Sequence, residues 1–130
     1  MSLTHIQTVK LTSSQASITL GSIPQDYTDL KLYISGRSTR ASTTDSVLMN
    51  INGSSADRSW TELELKESGA DASIGTSTFV DQSLAAADST ANTFGISSMY
   101  ICSYSGSDFK PILVDGQSVN NSTSYIKKMF

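Results

Sequence analysis

Glu62 and Glu64 are the first residues in this sequence whose type and spacing invite a reaction. Two residues apart on an extended strand, their side chains share a face at roughly 7 Å. Glycosidases hold a general acid and a second carboxylate at about that separation or a little less. The plain alternative is the solvated face of a half-buried strand, and nothing beside the pair suggests a sugar cleft. His5, the only histidine, could serve a triad or a zinc ion only with partners that the sequence does not announce, so an exposed histidine is expected. Cys102 is the only cysteine, which excludes an intramolecular disulfide and a cysteine-rich zinc site. It falls in an alternating stretch where a free thiol behaves as a small apolar side chain. A nucleophilic thiolate needs a base or a positive neighbourhood, and none is signalled.

The aspartates are scattered without the D-x-[DN]-x-[DN]-G spacing of a calcium loop. Asp26, Asp29 and Asp115 remain as candidates for a looser loop site. No GxxxxGK[ST] is present to cradle phosphate. Asn52 and Asn121 open glycosylation sequons, which are read as incidental without a secretory signal. No catalytic residue, metal site or cofactor is expected. Contact residues are easier to nominate. Arg37 and Arg40 follow a strand end on a loop, where binding groups cluster, and with Trp60 they belong to the residue types enriched at interface hot spots. Arg37 could instead pair with Asp29 or Asp45, and Trp60 could be core.

The elements that must carry these residues are short and β-like. Leu30, Leu32 and Ile34 alternate with Lys31, Tyr33 and Ser35, the period of a strand with one buried face. Val47, Met49 and Ile51 repeat the pattern and end at Asn52-Gly53, a strong turn signal. Trp60 to Leu65 alternates again, and Ile74 to Val80 forms a weaker strand. Residues 95–104, "GISSMYICSY", place Met99 and Ile101 on one face and Tyr100, Cys102 and Tyr104 on the other, which suggests a strand covered on both sides. Pro111 precedes a strand through Ile112 and Val114 that is expected to end at Asp115-Gly116. Ile6–Leu11, Ser17–Leu20 and Tyr125–Phe130 supply the remaining strands. Residues 83–92, with three alanines, are too short for a stable helix and are expected to form a loop or single turn. The expectation is one all-β domain over residues 1–130. Its fold would be a single β-sandwich of jelly-roll or immunoglobulin-like type with about eight short strands.

Composition narrows the partners. The formal net charge is −3, with nine basic residues spread along the chain. Phosphate binding needs a concentrated basic field, so nucleic acid is not expected. No apolar run approaches the roughly 20 residues of a membrane helix. Ser and Thr make up about three residues in ten and charged residues 16 %. Low charge together with regular apolar pulses indicates a folded chain rather than a disordered one. The opening residues lack a basic segment followed by an apolar one, which points to synthesis in a cytoplasm.

"SIPQDYTDLKLYISGRSTR", residues 22–40, resembles a stretch of small virion-associated structural proteins of marine bacteriophages. These infect cyanobacteria and other abundant ocean bacteria. Their stretch reads Ile-Pro-Gln, then Tyr-Thr-Asp-Leu, an alternating strand and an Arg-Ser-Thr-Arg-like loop. Further similarity follows in order through "INGSS" from Ile51, "STANTFGISSMYI" from Ser89, "YSGSDFKPILVD" from Tyr104 and "NNST" from Asn120. The resemblance covers most of residues 18–123. It implies a virion part and transfers no catalytic residue. The function expected from it is a non-enzymatic capsid decoration or cement protein. Its partners would be the major capsid protein or tail components. The alternatives are a tail or head fibre component that touches the host surface, and a carbohydrate-binding module that presents Tyr and Trp to a glycan. The resembled proteins continue past "NN-x-T" through a Trp-containing stretch, whereas this sequence ends at "SYIKKMF". Tyr125, Ile126 and Phe130 are therefore expected on an exposed edge that pairs with a neighbouring subunit, giving a homo-oligomer or lattice-bound protein.

Overall fold

The computed structural model describes residues 3–51, 60–66, 69–75, 82–119 and 125–129. These form strands and connecting segments with no helix. The strands are β1 (Leu30–Gly36), β2 (Thr44–Val47), β3 (Trp60–Lys66), β4 (Gly69–Gly75), β5 (Gln82–Ala85), β6 (Gly95–Ile101), β7 (Ile112–Val119) and β8 (Tyr125–Met129). Six make a sheet in the order β1-β6-β7-β8-β3-β4, and β2 and β5 make a second, two-stranded one. Every pairing between these strands is antiparallel.

The alternation in β1 decides its register. Leu30, Leu32 and Ile34 are half-buried, while Lys31, Tyr33 and Ser35 are exposed. Leu32 lies opposite Met99 in β6, and Met99 lies opposite Val114 in β7. Met99 and Val114 are almost completely buried, and with Ile101 they form a core. Leu30, Leu32, Met49, Ile51, Tyr104 and Ile112 pack around it. A fully buried side chain of this size contributes about 2–3 kcal/mol, so this cluster is the anchor of the sheet. A one-residue slip would send all of it to the other face.

Beyond that cluster the same inner face becomes small: Ser97 stands opposite Gly116, and Gly36 opposite Gly95. These positions make room for β5. A Cβ on Gly36 would sit 3.5 Å from both terminal methyls of Leu84, and Ala85 and Ala86 have no exposed surface. Three alanines that read as loop or turn thus begin in a strand: Gln82–Ala85 pairs with β2 and lies against β6 and β7. Short side chains there allow close approach of two backbones, and packing outweighs the local preference of alanine.

Asp115-Gly116 is not the turn its residue types suggest. β7 runs through it to Val119, paired with β6 on one side and β8 on the other. Clearance favours Gly116, because a Cβ there would meet Ser97 Oγ at 3.3 Å, a tight contact that Ser97 would have to give way to. β6 is shorter than expected and ends at Ile101, so Cys102 opens a turn and its N–H donates to the Pro111 carbonyl. Tyr104, also in that turn, packs on the core cluster instead of on the opposite face. β2 stops at Val47, and the Asn52-Gly53 turn and residues 76–81 lie outside the described residues.

Two further expectations are corrected. Tyr125 and Ile126 do not lie on an exposed edge, because β8 is an interior strand with β7 on one side and β3 on the other. Its backbone groups are already engaged, so it cannot receive a strand from a neighbour. Phe130 lies outside the described residues. Ile6–Leu11 and Ser17–Leu20 form no strand: residues 3–22 are exposed throughout and run as an extended arm. Among the described residues, β1 and β4 are the edge strands of the large sheet.

Candidate functional site

The loop after β1 carries Arg37 and Arg40, and the structure gives them different work. One terminal nitrogen of Arg37 donates to the carbonyls of Thr90 (2.8 Å) and Thr93 (3.1 Å) and to Thr93 Oγ1 (3.2 Å). The other donates to the carbonyls of Ala87 (3.0 Å) and Ser89 (2.8 Å). A guanidinium is a planar fork of donors, suited to gathering several carbonyls that converge from one loop. Arg37 therefore clasps the 86–93 segment instead of presenting its charge outward. It pairs with neither Asp29 nor Asp45.

The same segment is sewn to the 38–43 loop by its backbone. Ser38 N–H donates to the Ala85 carbonyl at 2.8 Å, Ala87 N–H to Arg40 at 2.9 Å and Asp88 N–H to Ser42 at 2.9 Å. Buried Ser89 donates its hydroxyl to the Thr43 carbonyl. Asn92 adopts φ 65°, a left-handed conformation that asparagine tolerates better than most residues.

Arg40 is the outward one. Its guanidinium meets Asp45 at 3.1 Å, with the arginine side chain 67 % exposed. Burial acts to raise the Asp45 pKa, but hydrogen bonds from Ser38 and the Ser46 N–H, together with Arg40, outweigh it and hold the carboxyl below its ordinary value. Arg37, Ser38, Arg40 and Asp45 line one wall of an open cleft of about 340 Å³, and Leu11 and Gln15 of the arm line the other.

Asp29 ties the entry of β1 to the β6–β7 turn. Tyr100 Oη donates to one carboxylate oxygen at 2.6 Å and Ser103 N–H to the other at 2.8 Å. The Tyr100 bond first, then the Ser103 bond, lower the Asp29 pKa, and the same contact raises that of Tyr100. Ser103 sits at φ 49°, in the left-handed region, with its N–H directed at Asp29. Asp29 is thus a structural tether.

The other nominated residues are placed apart along the chain's elements. His5 lies on the exposed arm with its Nε2 2.7 Å from Thr8 Oγ1. Glu62 stands opposite Ser73, and Glu64 opposite both Asp71 and Lys128, in a strand paired on both sides. Trp60 opens β3 opposite Gly75. Cys102 is half-buried in its turn, and Asp115 lies on the exposed face of β7. Among the described residues, no three of His, Cys, Asp or Glu gather as metal ligands, and no helix is long and apolar enough to cross a membrane.

Sequence reasoning missed the outer face of the large sheet as a surface. Its β1-β6-β7 portion has three rows: Lys31-Tyr100-Leu113, Tyr33-Ser98-Asp115 and Ser35-Ile96-Gln117. Tyr33, Ile96 and Leu113 are each more than half exposed, and the Lys31 ammonium lies 5.1 Å from the Tyr33 ring centre. Apolar residues on both faces of β6 suggest a strand covered on both sides, whereas Ile96 on its outer face, like Leu113 in β7, is exposed. Comparison with protein-family models, curated proteins and solved structures found no match to the chain.

Proposed function

We propose that this chain is a non-enzymatic structural protein of a bacteriophage virion, serving as a decoration or cement protein that binds repeated positions on the capsid. The observation that carries this reading is the apolar surface left uncovered. It comprises the outer face with Tyr33, Ile96 and Leu113, and an extended arm with Leu3, Ile6, Val9, Leu11, Ile18 and Leu20 all exposed. Three large apolar or aromatic side chains exposed on one sheet face, one in each row, together with an arm of exposed apolar residues, fit surfaces that another protein covers. The segments that carry the phage resemblance also fall together: residues 22–40, 89–101 and 104–115 contain β1, β6, most of their tethers and the first half of β7. The two sheets are read as unequal layers of one sandwich, the β2–β5 ribbon covering the small-residue end of the inner face. The partners are the major capsid protein or tail components and further copies of this chain, assembled after synthesis in the host cytoplasm.

The test is position and stoichiometry in purified particles of the parent phage, by quantitative mass spectrometry and cryo-electron microscopy. Hundreds of copies on the capsid lattice support decoration. A dozen or fewer at the tail assign it there, and absence from the particle refutes the virion reading.

A further inference from the structure

Residues 3–22 form an extended arm that meets the rest of the described chain beside Arg37–Arg40 and Asp45 but joins neither sheet. Every residue in the segment is exposed, and none makes a backbone hydrogen bond to the rest of the described chain. Yet its composition is that of a strand, with Ile6, Thr8, Val9, Leu11, Thr12, Ile18, Thr19 and Leu20 among its residues. Leu3 is 77 % exposed and Ile18 53 %. The only bonds found within the arm are side-chain ones, His5 to Thr8 and Gln15 to Ser13. Ser22 at φ 56° and Pro24 then turn the chain before it enters β1, and although Leu11, Ser14 and Gln15 come back beside Arg37–Arg40, no backbone hydrogen bond joins the arm to the strand it precedes.

That strand has what the arm lacks. β1 pairs only with β6, and among the described residues nothing occupies the other edge of Leu30–Gly36. Its sequence, LKLYISG, is rich in strand formers, whereas the opposite edge of the sheet, β4, reads GADASIG and is poor in them. The β1 edge also borders the exposed apolar face at Tyr33, Ile96 and Leu113. An added strand would thus find both free backbone groups and apolar side chains. Reach is sufficient: twenty extended residues span about 65 Å, against about 23 Å for the seven of β1. Charge agrees as well. The arm carries one lysine and no carboxylate, so the net charge of −3 leaves −4 on the remainder.

We infer that the arm of one copy adds as a strand to the open β1 edge of a second copy, so that arm exchange holds the chain in a homo-oligomer. The occupant of that edge is a second copy of this chain, since the chain itself supplies a segment of fitting composition, length and charge. Reciprocal addition closes a dimer, and head-to-tail addition closes a ring. This deepens the assembly part of the proposed function and does not depend on the virion: it concerns the isolated protein, whereas the virion reading is tested on particles.

The experiment is sedimentation velocity and light scattering of the purified full chain between 1 and ~100 µM, alongside two variants. One lacks residues 3–21, and the other carries Tyr33→Lys with Ser35→Lys. Both substituted side chains are exposed, and lysine is a residue that blocks edge pairing. The full chain should show at least twice the 13.9 kDa of one chain. Both variants should fall to a single chain with an unchanged far-ultraviolet dichroism spectrum per folded residue. If the truncated form does not fold, full-length Val9→Asp with Ile18→Asp takes its place. A full chain that is monomeric at ~100 µM overturns the inference, as does an arm-deleted form that assembles like the intact one. If the arm is needed but the lysine variant assembles unchanged, the assignment to the β1 edge is wrong.

Discussion

Arg37→Ala separates a clasp from a contact residue. The guanidinium makes five hydrogen bonds to the 86–93 segment, but they are unequal. Those to the Thr90 and Ala87 carbonyls are exposed, and water can replace the arginine there at little cost. Those to the Ser89 carbonyl and to Thr93, whose carbonyl and Oγ1 share one arginine nitrogen and are counted together, are partly buried. A charge-assisted bond of that kind contributes about 1.5 kcal/mol at the low end of its range. Two give about 3 kcal/mol, and relaxation of the loop towards water reduces this to about 2–3 kcal/mol. For a domain of this size, each kcal/mol moves the melting temperature by about 3–5 °C, so a fall of about 6–15 °C is expected.

The assay is thermal and urea unfolding followed by circular dichroism, with limited proteolysis to locate the damage. Cleavage should appear first between residues 86 and 93, because that segment joins β5 to β6 and is fastened from one side by Arg37. Arg37→Lys should recover less than half of the loss. One ammonium cannot reach carbonyls spread from residue 87 to residue 93, although it preserves the charge. A melting temperature within ~2 °C of the parent, or full rescue by lysine, would refute the clasp and return Arg37 to the solvent-facing role of Arg40.

Gly116→Val should destabilise the fold by about 2–3 kcal/mol in urea unfolding, because its branched side chain would enter the space beside Ser97. Ser97→Gly in the same chain should recover part of that loss, and a turn-type role for Gly116 predicts no such coupling. Asp29 has a folded pKa below its ordinary value, so its contribution is present above about pH 4 and is lost as pH falls through the carboxylate range. Asp29→Asn should flatten that acid limb of the stability curve, and an unchanged limb would remove Asp29 from the tether.

How much of this was legible follows from how each residue is held. β1 was readable because one face of an antiparallel strand is buried and the other is wet, which writes a period of two into the residues. β3 and most of β6 announced themselves similarly. Ile6–Leu11 has equally good strand composition and forms no strand, because propensity does not say whether a partner edge lies within the same chain. Asp115-Gly116 carries a turn dipeptide whose glycine is favoured by the close approach of a neighbour 19 positions away, Ser97. Arg37 looked available for a partner because its acceptors are backbone carbonyls 50 to 56 positions further along. Carbonyls have no sequence signature, so a clasp of this type cannot be read from residue types. The outer face was half legible: alternation located Tyr33, but only the register aligns it with Ile96 and Leu113 on one surface.

The place of β8 gives the two ends of the chain opposite roles. β8 pairs with β7 through Asp115–Val119 and with β3 through Leu63–Lys66. Among the described residues it is the only strand that joins the β3–β4 hairpin to β1-β6-β7. Removing residues 125–129 would therefore divide the six-stranded sheet into a three-stranded unit and a hairpin. A two-stranded hairpin alone is at best marginally stable in water. The three-stranded unit would keep Met99, Val114 and Ile101 but gain a new open edge along β7, the whole length of which β8 had covered from Asp115 onward. The truncated chain should lose cooperative unfolding and a large part of its β-signal, and should aggregate through that edge. Removal of residues 3–21 should leave the β-signal intact and abolish ordered assembly. Circular dichroism with sedimentation on the two truncations decides the matter. A C-terminal truncation that unfolds cooperatively at the parent temperature would show that the sheet does not depend on β8.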